Sequence, residues 1–389
     1  MEYKLVQEQD LEKIKYLWAY CFESHQPFFD WYFREYYQQE NTLGAYQDGN
    51  LLANLQLIPY EIFLRGQCLQ TSYIVGIATY PEGRRGGIVR GLLAEALREM
   101  KHRDQYISLL MPFKAEFYHS YDWQFCYHHL KYALPLEDLK KLSQSWGELR
   151  QVKDIGANDQ LQRVYERFVL DKHGFVIRKS RNWRLLLEEH FGEKGYLYLL
   201  EKDGQPEGYL MYYMQENKIL VREMAYTNVL AYKALLQFLY NHRSQVERVE
   251  WNSPFDDNIH FLLPEHKKGV EIYPFLMARI VDVKKCLEVI NYPRKISGEI
   301  KIGVEDNLAQ WNNQYFLLRV ANGQGTVEVL EKDTWEVKLT IGSLTQLVFG
   351  RLGAKELFKM GLLTDISQGK LKFLEGLFPK CDNYINEYF

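Results

Sequence analysis

The sequence predicts an α/β (α+β) protein, with mixed, mainly antiparallel sheets flanked by helices, repeated as units along 389 residues. Three observations predict it. Apolar and β-branched runs are separated by short Gly-containing turns, as in "TLGAYQDGNLLANLQLIPYEIFLRGQCLQTSYIVGIAT" over 42–79. Helical periodicity follows such runs, as in "GIVRGLLAEALREMKH" over 87–102, where Ile88, Leu92, Leu93 and Leu97 share a face. The length exceeds what one ordinary core fills, so two or three domains are expected.

The elements follow in order. "DLEKIKYLWAYCF" puts Leu11, Ile14, Leu17 and Trp18 on one helix face, with Asp10 as N-cap. Asp48-Gly49 and Arg65-Gly66 mark hairpin turns, which makes 42–79 a run of antiparallel strands. After the 87–102 helix come a buried strand "QYISLLMP", a short helix "AEFYHSY" and the extended "WQFCYHHLKYALP". The polar stretch 136–168 reads as a helical connection into a second unit. There "YLYLLEKDGQPEGYLMYYMQENKILVREMAY" and the helix "VLAYKALLQFLYNH" echo the first unit, which suggests an internal duplication. A third unit starts near Val281. Its strands "GEIKIGVED" and "WEVKLTIG" alternate apolar and polar residues, and the helices "GSLTQLVFGRL" and "AKELFKMGLL" carry an apolar face. A plain α+β cap is favoured there over an apolar groove. The expected domains are 1–145, 146–283 and 284–389.

Composition narrows the function. Hydrophobic residues at 47% and charged residues at 25% are the balance of a folded globular protein, and a net charge of -3 supplies no global field for nucleic acid. The five cysteines are scattered with no CxxC pair, which fits a reducing compartment and argues against a zinc site. The N-terminus lacks an apolar leader and no apolar run approaches ~20 residues, so no membrane segment is expected and the cytoplasm is the expected location. His128 and His129 are adjacent and face opposite sides of a strand, so with His119 they make no metal site.

The stretch "TYPEGRRGGIVRGLLAEAL" over 79–97 carries the functional signal. A buried strand, a turn broken by Pro81 and glycines, and a helix N-terminus bring unpaired amides and the positive end of a helix dipole to one place. That is an anion site, or else an ordinary tight turn with two surface arginines. The second unit has only "YTNV" between strand and helix, with neither arginine pair nor glycine pair. It therefore reads as a scaffold.

With these residues in hand, the first unit resembles a GNAT-type acyltransferase. That superfamily carries an Arg/Gln-x-x-Gly-x-Gly/Ala turn, matched here by Arg84, Arg85, Gly86, Gly87, Ile88 and Val89, with Val89 departing from the common Gly or Ala. "IATYPEGRRGGIVRGLL" together with "LLMPFKAEFYHSYDWQF" is similar to the "enhanced intracellular survival" (Eis-like) branch, where a larger apolar residue is usual and an Arg follows, here Arg90. The resemblance implies tandem GNAT folds, the second degenerate, and a sterol-carrier-like C-terminal domain.

It also implies acetyl-CoA as co-substrate, a small-molecule amine as acceptor, aminoglycoside-type polyamines among them, and a hexamer. Ile77, Ala78 and Thr79 would polarise the thioester, and Arg85 to Arg90 would wrap the pyrophosphate. Phe113 and Lys114 match a further coenzyme-contacting position. Tyr118 matches the tyrosine that serves as general acid, with Tyr121 as its nearest rival. The C-terminal carboxylate, here Phe389, would be the base. Apart from the resemblance, Asp30 and Glu387 are candidate acidic contacts for a cationic substrate. A non-enzymatic lipid- or CoA-binding protein with a degenerate site is the competing expectation.

Overall fold

The structure, a computed structural model, describes residues 1–84, 86–263, 265, 267–331 and 334–388. Arg85 and Phe389, both named above, lie outside the described residues. The first unit runs β1 (Glu2–Leu5), α1 (Leu11–Cys21), α2 (Phe28–Trp31), β2 (Thr42–Gln47), β3 (Asn50–Leu64), β4 (Gln67–Thr79), α3 (Ile88–His102), β5 (Ile107–Leu110), α4 (Ala115–His119) and β6 (Gln124–Pro135). The second runs β7 (Glu148–Val152), α5 (Asn158–Phe168), α6 (Ser180–Gly192), β8 (Tyr196–Lys202), β9 (Gln205–Met214), β10 (Lys218–Tyr226), α7 (Val229–Tyr240), β11 (Arg248–Pro254) and β12 (Val270–Ile280). The third runs α8 (Val283–Val289), β13 (Gly298–Glu305), β14 (Tyr315–Ala321), β15 (Gln324–Leu330), β16 (Val337–Thr340), α9 (Ile341–Phe349), α10 (Ala354–Lys359) and α11 (Gln368–Leu377).

Twelve strands of the first two units form one sheet, ordered β1-β2-β3-β4-β5-β12-β6-β11-β10-β9-β8-β7. β12 pairs antiparallel with both β5 and β6, so a strand late in the second unit completes the sheet of the first. α3 packs on one face through Leu92, Leu93, Ala96, Leu97 and Met100, all buried. The opposite face joins the third unit in the largest core, where every residue of α9 is buried. That helix lies between the large sheet and the four-stranded sheet β15-β14-β13-β16. Arg65, from the β3–β4 hairpin, donates to the carbonyls of Val348 (2.8 Å), Leu347 (3.0 Å) and Pro379 (2.8 Å) and so ties α9 down. The third unit is thus an α+β cap whose central helix is core. Among the described residues no helix is long and apolar enough to cross a membrane.

Both hairpins form at the expected turns. Asp48-Gly49 and Arg65-Gly66 have φ of 51°, 79°, 48° and 74°, the left-handed pair that matches the strand twist. Two expectations need correction. Asp10 is no side-chain cap: a preceding helical turn has already set its backbone at φ -86°, and its carboxylate accepts from the Gln7 N–H (3.0 Å) and the Tyr46 hydroxyl (2.6 Å). The 136–168 connection is not wholly helical, since it contains β7, the edge strand beside β8. Most of the β7 side chains face solvent, so the sequence shows no apolar alternation there.

Burial has a pH consequence. The imidazoles of His128, His129, His173 and His190 are all pushed down to about 4, burial being the largest cause for each. The folded form therefore binds fewer protons than the unfolded chain between pH ~6.5 and ~4, and stability must fall as pH drops through that window. For His129 alone the loss is about 3 kcal/mol. Urea denaturation at pH 7 and pH 4.5 should show a clearly lower midpoint at the acid pH.

Candidate active site

β4 and β5 run parallel but pair only at Ser72–Ile74 with Ser108–Leu110. Beyond Ile74, among the described residues, no strand pairs with this edge of β4. On its other side β4 bulges against β3, the register moving from Gln56↔Val75 to Asn54↔Ala78. Gly76 sits in this bulge at φ +60°, and a Cβ there would lie 2.7 Å from the Trp18 ring. Only glycine satisfies both constraints. The result is a wedge in which, among the described residues, the main chain of residues 75–79 has no strand paired to it on the edge facing β5.

The α3 N-terminus stands at the mouth of this wedge. Its N-cap, Gly87, has φ 73° and ψ 9° and provides no side-chain cap, so the first-turn amides keep their hydrogen-bonding capacity. Ile88 is buried and anchors the helix start, while Val89 is half-buried. The guanidinium of Arg84 lies over the Tyr20 ring at 5.7 Å, and Arg90 Nη2 donates to the Asn307 carbonyl of the third unit at 2.8 Å.

Wedge and helix start enclose a cavity of ≈ 1010 Å³. Ile77 and Thr79 line it from β4, and Arg84, Gly87, Ile88, Val89 and Arg90 from the turn. Phe113, Tyr118 and Tyr121 line the far side, with Tyr20 and Cys21 from α1 and Phe22 just past its end. Tyr118 is 4% exposed, and burial pushes its phenol up to about 12, so it is protonated across the working range. Its ring meets Phe113 (6.2 Å) and Phe117 (5.1 Å) edge-on, and among the described residues no group hydrogen-bonds its hydroxyl. Ala78 points into the core, so only its backbone could serve. Lys114 is exposed and pairs with Glu116 at 3.3 Å, away from the cavity lining, as is Gly86.

A second cavity of ≈ 520 Å³ lies between the first two units. Phe28, Trp31, Tyr32, Tyr36 and Tyr60 come from the first unit, and Glu189, Glu193, Tyr213 and Arg222 from the second. Glu23, His25, Glu387 and Tyr388 also line it. Four carboxylates thus face the Arg222 guanidinium and the His25 imidazole, whose nitrogens lie 2.9 Å from Glu23 and 3.5 Å from Glu193. Burial raises the Glu189 carboxyl, with Arg222 at 3.7 Å acting against that rise. Phe22 lines the first cavity and Tyr32 the second, and Trp18 touches both rings at 5.1 and 4.4 Å. The two cavities therefore adjoin across one tryptophan.

Glu387, expected from sequence, lines this pocket; Asp30 is exposed on α2 and does not. Glu189 and Glu193 escaped sequence reasoning because α6 reaches the first unit only through the fold. A helix bearing "LLLEEHF" carries no local sign that its acids face an aromatic wall. Among the described residues no cluster of three His, Cys, Asp or Glu is placed to hold a metal ion.

The second unit repeats the wedge without the anion turn. β10 and β11 pair in parallel only at Lys218–Leu220 with Arg248–Glu250, and β10 bulges against β9 between Val221 and Glu223. At the start of α7, however, the Asn228 side chain accepts from the amides of Leu230 (2.9 Å) and Ala231 (3.0 Å). The donors left open at Gly87 are consumed here.

Comparison with known proteins agrees with this geometry. Residues 2–126 and 174–280 each match a family described as an acetyltransferase (GNAT) domain, and residues 283–386 match a sterol carrier protein domain. An uncharacterized N-acetyltransferase of Streptomyces avermitilis is 23% identical over 361 residues, covering 86% of this chain and 85% of that protein. A GCN5-related N-acetyltransferase from Anabaena variabilis superposes with a TM-score of 0.87 at 23% identity, covering 100% of both chains. Eis1 from Mycobacterium abscessus does so with a TM-score of 0.78 at 18% identity, again over 100% of both. With two GNAT domains in tandem and a sterol carrier protein domain behind them, the chain belongs to the GNAT-type N-acetyltransferases.

Proposed function

We propose that the protein acetylates an amine of a small polycationic acceptor, using acetyl-CoA held in the 1010 Å³ cavity and the acceptor in the 520 Å³ pocket. One observation carries the reading: a cavity with helix-start amides left uncapped by Gly87, and with the buried, protonated phenol of Tyr118, adjoins a pocket rich in carboxylates and rings. The coenzyme fits what is present. Gly87 leaves its amides uncapped, and Val89, the departure from the commoner turn, lines the cavity without closing it.

When bound, acetyl-CoA supplies an activated acetyl thioester. The amides of Ile88, Val89 and Arg90 and the charges of Arg84 and Arg90 would hold its diphosphate. The unpaired edge of residues 77–79 offers N–H groups to an acyl oxygen, where developing negative charge is stabilised without reorganisation. Tyr118 keeps a proton on its Oη for the departing sulfur. Glu23, Glu189, Glu193 and Glu387 hold ammonium groups, and the surrounding rings add cation–π attraction.

The resemblance assigns the base to the carboxylate of Phe389. The adjacent residues Glu387 and Tyr388 line the acceptor pocket, which supports that assignment. Residues added after Phe389 should then impair turnover and spare coenzyme binding. The implied hexamer belongs to the same proposal, and sedimentation analysis tests it.

Thiol release from acetyl-CoA across a panel of amines tests the function. Polyamines should be acetylated and neutral or anionic amines ignored. Glu189→Gln should raise the KM for a polyamine about tenfold, the loss of one charge contact of about 1.4 kcal/mol, with kcat little changed. Equal rates on every amine would contradict the acidic pocket as the acceptor site.

A further inference from the structure

The wedge between β4 and β5 is a cavity, whereas its copy between β10 and β11 is filled by the chain's own residues 384–388. Asn386 enters the bulge of β10: its Nδ2 donates to the Arg222 carbonyl (3.0 Å) and to the Glu223 carboxylate (2.9 Å), and Arg222 Nη1 donates to the Asn386 carbonyl (3.1 Å). From β11, Asn252 Nδ2 donates to the Tyr388 hydroxyl at 2.5 Å, and the Arg222 guanidinium covers the Tyr388 ring at 4.4 Å. Tyr384 packs against Phe168 at 5.3 Å, and His129 Nε2 bonds the Ile385 carbonyl at 2.8 Å.

One buried cation ties this segment to the sheet. Arg178, 2% exposed, donates two bonds to Glu223 (2.6 and 2.7 Å) and one through Nε to Glu387 (2.9 Å). Its guanidinium also stacks on Tyr165 (4.3 Å) and Trp183 (4.8 Å). A buried ion pair contributes little net stability because both charges lose their water, yet breaking it is costly because one charge is left unpaired. Its effect is therefore positional. A slip of the segment by one residue would carry Glu387 away from Arg178 and Asn386 away from the bulge together.

We propose that the wedge of the second GNAT domain is a socket for residues 384–388, and that Arg178 is the positioning residue that fixes Glu387 and Tyr388 in the acceptor pocket. The degenerate domain thereby shapes one wall of the other domain's active site. The positioning half of this proposal rests on the acceptor-pocket reading; the socket half does not.

Arg178→Lys keeps a charge but loses the fork that reaches both carboxylates. Asn386→Ala removes the bulge contacts without burying an unpaired charge and is the milder variant. Amide exchange of a peptide covering 383–388, acetyl-CoA affinity by calorimetry and steady-state kinetics with a polyamine should be measured on the full chain. In both variants exchange in 383–388 should rise at least about tenfold, coenzyme affinity should stay within about twofold, and polyamine KM should rise about tenfold. Unchanged protection of 383–388 in folded Asn386→Ala protein would overturn the socket. Freed residues with unaltered KM and kcat would overturn the positioning role. Freed residues in a protein whose wild type acetylates no amine would support the socket and remove the acceptor reading instead.

Discussion

Tyr118→Phe should lower turnover on any accepted amine by about 10²-fold or more, with acetyl-CoA affinity held within about twofold. The substitution removes one hydroxyl from a side chain that packs by its ring against Phe113 and Phe117, so the fold has little to lose. The hydroxyl has a phenol proton held firmly, with burial pushing the group up to about 12. A proton donor of that kind matters when sulfur leaves and contributes nothing to holding the diphosphate. The loss should thus fall on kcat and spare binding. The wild-type profile should show no basic limb from this group below pH ~12, since it carries its proton throughout. Tyr121 lines the same cavity and supplies the control. If Tyr121→Phe shows the large loss and Tyr118→Phe the small one, the acid is Tyr121.

Gly87→Asp should weaken acetyl-CoA binding by about 10²-fold or more while lowering thermal stability only slightly. Gly87 is left-handed at φ 73°, a conformation Asp tolerates, as Asp48, Asp104 and Asp203 do in this chain. A Cβ at Gly87 meets nothing within 4 Å. A carboxylate at a helix N-terminus is also favourable for the helix itself. The same carboxylate stands where a diphosphate must approach, and like charges brought together cost several kcal/mol. Stability retained with binding lost would separate ligand repulsion from misfolding. Stability lost in step with binding would show that Gly87 matters for folding instead.

Local signals made much of this fold readable. Asp48-Gly49 and Arg65-Gly66 specify their turns by backbone chirality, and Leu92, Leu93 and Leu97 specify α3 by spacing. The turn at 84–90 could be found because strand, breaker and helix are contiguous. The acidic pocket could not. Glu189 lies on α6 and Glu193 just past its end, and Arg222 on a bulge of β10, more than a hundred residues from the first-unit rings they face. Asp30 shows the converse: α2 is four residues long, too short for periodicity to show which side faces inward. The insertion of β12 between β5 and β6 was likewise hidden, since a run such as "YPFLMARI" is apolar wherever it pairs. Arg178, Glu223 and Glu387 form one buried network from three distant segments, and no spacing rule links them.

Both large effects presuppose that the open wedge, and not its filled copy, receives the coenzyme. Calorimetric titration of acetyl-CoA into the full chain and into Gly87→Asp tests this most directly. One coenzyme bound per chain, with binding abolished or strongly weakened in Gly87→Asp, is the expected result. No heat with the wild type, two coenzymes per chain, or undiminished binding by Gly87→Asp would contradict it.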